Sequence, residues 1–247
     1  MPAICFSHVS FSYTSDPLLE NISLTVSDRE RVCVVGPNGS GKSTLLRLAT
    51  GELTPDRGSI MAPERGALTT AGSSEPTATS IKGYLDAVCA ETLDALRRFE
   101  RVNEAIAQDG VDTGSLAEDY DSLLARLGAL DAWNLSVRRA EALAGLGLGQ
   151  VDTGRLVSSL SPGQRGRLEL AALLLSSGQA LVLDEPTNHL DAGSSDYLSQ
   201  MMVSWPGPVL FTTHDRAFID EVATAIVDLD TAPWQALATA AGNSGPM

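Results

Sequence analysis

Lysine is nearly missing from this sequence: Lys42 and Lys82 stand against fifteen arginines in 247 residues. A lysine kept among so many arginines points to a task for a compact, mobile point charge, and Lys42 lies in a glycine-rich stretch. Cysteine is scarce as well. Cys5, Cys33 and Cys89 are far apart and odd in number, which excludes zinc-ligand spacing and argues against a disulfide framework. No histidine lies near Cys33, so it reads as a small apolar core residue, not a thiol nucleophile. No apolar run approaches the roughly 18–20 residues of a membrane span, so no direct membrane insertion is expected. The opening MPAICFSHVS lacks a basic stretch followed by an apolar one. No secretory signal is expected, and a cytoplasmic location follows. Positive charge is in deficit overall. A net charge of −14 and a pI near 4.5 disfavour unspecific attraction to nucleic acid or anionic membrane.

What is present suits a soluble α/β protein. The length allows a substantial core, in one large domain or one domain with an insertion. Ile4, Phe6, Val9 and Phe11 mark a first strand, Ile22–Val26 a second and Arg31–Val35 a third, with turns at 14–17 and 27–28. A helix is predicted from Lys42 to about Thr50, with Leu45, Leu46 and Leu48 inward and Gly51 as its stop. Residues 54–58 read as a turn, 59–61 and 67–70 as short strands, and 71–79 as a small, polar surface loop. From 80 to 145 leucine and alanine recur at helical spacing: Leu93-Leu96-Phe99, then Leu116-Tyr120-Leu123-Leu124-Leu127, then Ala140-Leu143-Leu146. Gly110, Gly114 and Gly128 divide this segment into about four helices. Twelve acids against seven bases over 81–145 indicate solvated, paired helices, although Arg97-Arg98, Arg101 and Arg138-Arg139 offer local phosphate contacts. The strand–helix rhythm resumes near 155, with strands at Ala180–Leu183, Val209–Thr212 and Ala225–Leu229 and a helix over 194–205, which implies a largely parallel sheet. The expected division is therefore 1–79 as the first part of the core, 80–150 as a helical subdomain, 151–232 as its second part and 233–247 as a frayed tail.

The informative stretch is Gly36-Pro37-Asn38-Gly39-Ser40-Gly41-Lys42-Ser43-Thr44, directly after the apolar run Val32–Val35. It fits G-x-x-x-x-G-K-[ST] in a strand–loop–helix context. Its glycines let backbone N–H groups turn inward around a phosphate, and a helix starting near Lys42 adds its positive end. Lys42 then reaches the β- and γ-phosphates, and the Ser43 hydroxyl ligates Mg²⁺. Tyr13 reads either as ordinary strand packing or as an aromatic platform for an adenine ring.

Three further motifs follow in order: Leu160-Ser161-Pro162-Gly163-Gln164, Leu181-Val182-Leu183-Asp184-Glu185-Pro186 and Thr212-Thr213-His214-Asp215. With the phosphate loop, this order resembles the nucleotide-binding domain of ATP-binding cassette (ABC) proteins over nearly the whole chain. The resemblance implies a P-loop NTPase fold with a β-rich first part, an inserted helical subdomain, and ATP with Mg²⁺. It implies that Asp184 holds the metal and Glu185 is the base or water-positioning group. His214 would be the switch residue that senses the γ-phosphate, and Tyr13 would stack on adenine. Ser161, Gly163 and Gln164 belong to the signature, a second phosphate-recognising helix start; taken alone, they read as an N-cap serine and turn residues. Asp191 matches the acid of the loop that crosses to a partner cassette.

Thr187-Asn188-His189-Leu190-Asp191 is similar to the ABC-F branch, soluble twin-cassette proteins that act on ribosomes. The 119 positions from Lys42 to Ser161 leave room for that branch's inserted arm. Three departures stand out. Pro162 replaces a signature glycine at a helix start, where a fixed φ is tolerated. No glutamine occurs between Thr44 and Gln108, and Thr70 falls near the place of the family's Q-loop glutamine. Only one cassette is present, so a second one is needed to complete each site: the chain forms a homodimer, pairs with another chain, or is a fragment corresponding to a first cassette. The resemblance implies an ATPase whose MgATP-driven closure acts on the ribosome, in translation or in antibiotic resistance by ribosome protection. Two other readings remain open here: the ATP-binding subunit of a membrane transporter, and a nucleotide-gated binding module with little turnover.

Overall fold

The computed structural model describes residues 3–62, 66–69, 79–106, 113–176, 180–188, 190–230 and 237–238. The chain divides into two units, Met1–Glu75 with Gly178–Met247, and Pro76–Ser177. Residues 63–65, Thr70, the stretch 71–78 expected to be a loop, the stretch 107–112 with Gln108 and Gly110, residues 177–179 and His189 fall outside the described residues, as does the tail apart from 237–238.

The first unit starts as an antiparallel sheet. Strand β1 (Ile4–Phe11) pairs with β2 (Leu19–Val26) on one side and with β4 (Arg57–Met61) on the other. The inward residues of β1 change from even to odd positions, Ile4 and Phe6, then Val9 and Phe11, all nearly inaccessible. A bulge between Phe6 and Val9 makes the change, since one extra residue flips the faces that follow. His8 occupies it with φ 51°, its Nδ1 2.9 Å from Asn21 Oδ1. Gly58, assigned to a turn by the sequence, lies in β4 with φ 82°, and a Cβ there would run into the carbonyl oxygens of Ser7 and His8. Gly58→Ala is therefore expected to cost about 1–3 kcal/mol of stability, because a side chain gains both a disfavoured φ and a backbone clash. Urea denaturation checks this; an unchanged midpoint would contradict the close approach.

The second sheet runs in the order β5 (Gly66–Thr69), β6 (Ala180–Asp184), β7 (Val209–Thr212), β3 (Arg31–Val35), β8 (Ala225–Asp228) and β9 (Leu237–Ala238). Its pairs are parallel except β8–β9. Buried strands of a parallel sheet need apolar residues on both faces, and Ala180–Leu183 and Val209–Phe211 supply unbroken runs of them. Helix α1 (Lys42–Ala49) buries Leu45, Leu46 and Leu48 in one cluster with residues of both sheets. Each such leucine contributes about 1.5–3 kcal/mol, which anchors the end of the loop that precedes the helix. Helices α7 (Ala192–Ser204) and α8 (Arg216–Val222) complete this unit. The tail, expected to fray, contributes β9.

The second unit is helical: α2 (Ile81–Val88), α3 (Ala90–Ile106), α4 (Thr113–Ala129), α5 (Leu135–Gly145) and α6 (Pro162–Leu175). Helices α3 and α4 pack through Ala95 and Leu127, with Phe99 between Tyr120 and Trp133, each ring centroid 5.3 Å away. At 17 residues apiece they extend about 25 Å, an arm-like pair. Of the two adjacent leucines in α4, Leu123 is buried and Leu124 exposed, because Leu123 and Leu127 form the buried i, i+4 stripe. Three arginines follow the paired reading: Arg97 meets Asp94 at 2.8 Å and Arg139 meets Asp86 at 2.6 Å, while Arg126 reaches Glu91 from α4 to α3. The boundary near 150 is not where the fold divides. Among the described residues no strand element lies between 151 and 179, and Ser80 bridges Leu156 while Ile81 N donates to Arg155 O. The signature helix α6 thus belongs to the helical unit, packed on α5 and α2.

Candidate functional site

The site is built where β3 hands over to α1. Gly41 caps α1 with φ 97°, and a Cβ would come within 2.7 Å of Leu19 Cδ2, so this position needs glycine for conformation and for space. The Lys42 side chain folds back across the loop, its ammonium donating to Gly36 O at 2.9 Å and Pro37 O at 3.1 Å. Ser40 N donates to Pro37 O at 3.2 Å, tightening the turn. Among the described residues the buried Ser40 hydroxyl has no hydrogen-bond partner, and it lies inside a loop whose helix end is positive.

The second contribution comes from the end of β6. Glu185 has φ 50°, a left-handed conformation uncommon for a side-chain residue and frequent at functional sites. Its N–H is held by Thr212 O at 3.2 Å and Thr212 Oγ1 at 3.0 Å. Glu185 Oε1 lies 3.1 Å from His214 Nε2 at the end of β7. With Nε2 carrying the proton, His214 donates to the carboxylate and steadies it. Thr212 Oγ1 also donates to Asp184 Oδ1 at 2.7 Å.

These parts line one cleft of about 690 Å³, within the range of small-molecule sites. The loop lends Asn38, Gly39, Gly41, Lys42, Ser43 and Thr44; the strand ends lend Asp184, Glu185 and His214; Tyr13 stands at the same cleft. Tyr13 is 58% exposed, T-shaped against Phe11 at 4.9 Å, with its hydroxyl 3.4 Å from Thr44 Oγ1. The exposed part of the ring is available for stacking. Ser43 and Asp184 bring hard oxygen donors to the same cleft, the chemistry that Mg²⁺ selects, so the residues present fit a nucleotide with its metal.

Other expected residues stand elsewhere. Asp191 caps α7, accepting from Ser194 N at 2.8 Å. Ser161, Gly163 and Gln164 belong to the helical unit, at the start of α6. There Ser161 Oγ accepts from Gln164 N at 3.2 Å and Gln164 Oε1 accepts from Ser161 N at 3.1 Å, a capping box with Pro162 at the first helical position. The sequence reading assigned no role to Leu18 and Asn188, which line the cleft, or to Thr212 behind it. Asn188 was legible as a short polar residue three positions after Glu185; Thr212 looked like any β-branched strand residue.

Cys33 lies on β3, fully buried, and burial pushes its thiol up to about 12, with Glu185 adding a smaller push in the same direction. The fold thus favours the neutral thiol. The stability it lends is complete below pH 9.0 and is lost as the pH rises toward about 12, since the unfolded chain ionises first. The slope of urea-unfolding free energy against pH above 9 should flatten in Cys33→Ala; an unchanged slope would remove the linkage.

The ABC transporter family model matches residues 19–188. The energy-dependent translational throttle protein EttA of Mycobacterium tuberculosis is 37% identical over 216 residues, which is 86% of this chain and 38% of that protein. The tylosin resistance ATP-binding protein TlrC of Streptomyces fradiae is 32% identical over 226 residues, 90% of this chain and 41% of the relative. The ABC transporter F family member 2 of Arabidopsis thaliana is 30% identical over 230 residues, 90% and 34% respectively. The chain thus spans little more than a third of the length of these curated relatives. A solved ATP-binding subunit of an ABC transporter superimposes with a TM-score of 0.68 at 17% identity, covering 91% of this chain and 85% of that one, which establishes the fold. With the family model matched over residues 19–188 and the phosphate loop, strand-end acids and histidine gathered in one cleft, the chain belongs to the ABC family as an ATP-binding cassette.

Proposed function

We propose that this chain hydrolyses ATP, closes on a second cassette around the nucleotide, and works on the ribosome. The observation that carries the chemistry is the Glu185–His214 pair at 3.1 Å in the same cleft as Lys42. Loop amides and the Lys42 ammonium hold the β- and γ-phosphates and offset the charge that builds on them. Glu185 accepts a proton from the attacking water and orients it in line with the bond that breaks. His214 keeps that carboxylate in place. Tyr13 stacks on the base and Thr44 anchors the loop. Ser43 and Asp184 hold Mg²⁺, which supplies neutralisation of the phosphate oxygens when bound. Catalysis of this kind is mostly positioning and electrostatics.

The phosphate site of one cassette is completed by Ser161, Gly163 and Gln164 of another, and Asp191 belongs to that crossing. The partner is a second copy or a separate cassette. Support for the ribosome comes from the relatives, one described as a translational throttle and one as a tylosin resistance protein. No described helix is long and apolar enough to cross a membrane. Co-sedimentation with ribosomes, with MgATP and without nucleotide, tests the assignment. ATP-dependent enrichment supports it; equal recovery in both conditions rejects it and returns attention to a transporter subunit paired with a separate membrane chain.

A further inference from the structure

We infer that Thr212 is a positioning residue for both strand-end carboxylates, and that it decides which oxygen of Asp184 faces the metal. Strand β7 is otherwise wholly apolar: Val209, Leu210 and Phe211 are fully buried, and Thr212 is equally inaccessible at 0% exposure. A hydroxyl in such a place carries a desolvation cost unless both its donor and acceptor roles are met. Here both roles are met by the two residues that the proposed mechanism depends on. The hydroxyl donates to Asp184 Oδ1 at 2.7 Å and accepts from Glu185 N at 3.0 Å. The strand register makes this possible, because Thr212 is the direct partner of Asp184 across β6 and β7.

Two consequences follow from one side chain. With Oδ1 committed to Thr212, Asp184 cannot rotate freely and presents its other oxygen, Oδ2, for coordination. The second bond to Glu185 N reinforces the left-handed turn at φ 50° from which its carboxylate reaches His214. Valine in this position keeps the shape and removes both bonds. Serine keeps the hydroxyl and removes only a methyl group.

The inference rests on the reading that Asp184 holds the nucleotide's metal, and its test separates the two. Mn²⁺ affinity of the full chain in the presence of ATP is read by electron paramagnetic resonance, beside metal-free ATP binding as the check of folding. Thr212→Val should weaken Mn²⁺ by about tenfold or more, the usual loss when a residue orienting a ligand is removed, with metal-free ATP binding unchanged. Thr212→Ser should return close to the parent affinity. Asp184→Asn is the reference. If it weakens Mn²⁺ and Thr212→Val does not, the positioning role is overturned while the metal site stands. If Thr212→Ser is as weak as Thr212→Val, packing of the methyl carried the effect, and the role is again overturned. If Asp184→Asn binds Mn²⁺ like the parent, the metal reading itself fails and this inference falls with it.

Discussion

Glu185→Gln should lower phosphate release by about 10²- to 10⁴-fold, the usual contribution of a positioned base, while ATP still binds. The amide keeps the shape of the carboxylate and still meets His214, but it cannot take a proton from water. The residue's backbone is held by Thr212, not by its own side chain, so the substitution leaves the left-handed turn in place. The loop and Lys42 are untouched, and binding of the phosphates is unaffected. Trapped nucleotide also makes closure visible. Light scattering of this variant should show the mass doubling with MgATP and not without it, if the chain completes its own sites as a homodimer. A variant that binds ATP and stays monomeric assigns the partner to a different cassette. Turnover equal to the parent's would remove Glu185 from the mechanism.

Lys42→Ala should weaken ATP by tenfold or more, since hydrogen bonds to a charged group contribute about 1.5–3 kcal/mol. The loss has two parts. The phosphates lose their point charge, and the carbonyls of Gly36 and Pro37, which accept from the ammonium at 2.9 and 3.1 Å, lose their donor. Lys42→Arg is not a conservative replacement here, because a planar fork does not fit where a compact ammonium bends over two carbonyls. Isothermal titration of ATP against parent and variant checks this. The decisive comparison is with AMP, which lacks the β- and γ-phosphates: the parent's preference for ATP over AMP should shrink in the variant. An unchanged preference would place Lys42 away from the terminal phosphates.

The sequence by itself determined the parts whose function depends on local chemistry. Gly36–Thr44 follows a strand and opens a helix, and that geometry is fixed by glycine spacing and by the leucines that bury α1. The buried runs Ala180–Leu183 and Val209–Phe211 were legible because a strand covered on both faces has no alternation to conceal. The even-to-odd change in β1 could also be read, although its cause, a bulge at His8 opposite Gly58, needed the neighbouring strands. The family followed from the order of short motifs.

Tertiary structure alone decided what depends on residues distant in sequence. The segment after 150 looked like a return to the sheet, yet its backbone bonds go to the start of α2, which draws α6 into the helical unit. Burial of Leu123 and not Leu124 was set by which face of α4 meets α3, and periodicity offered two adjacent leucines without choosing between them. Asn188 and Thr212 became part of the site only when β6 and β7 were paired in register. The physical reason is the same in each case. Propensity and spacing fix what a segment can be, whereas hydrogen-bond partners and shared cavities are properties of pairs, and the pair that holds the Asp184 carboxylate is 28 residues apart.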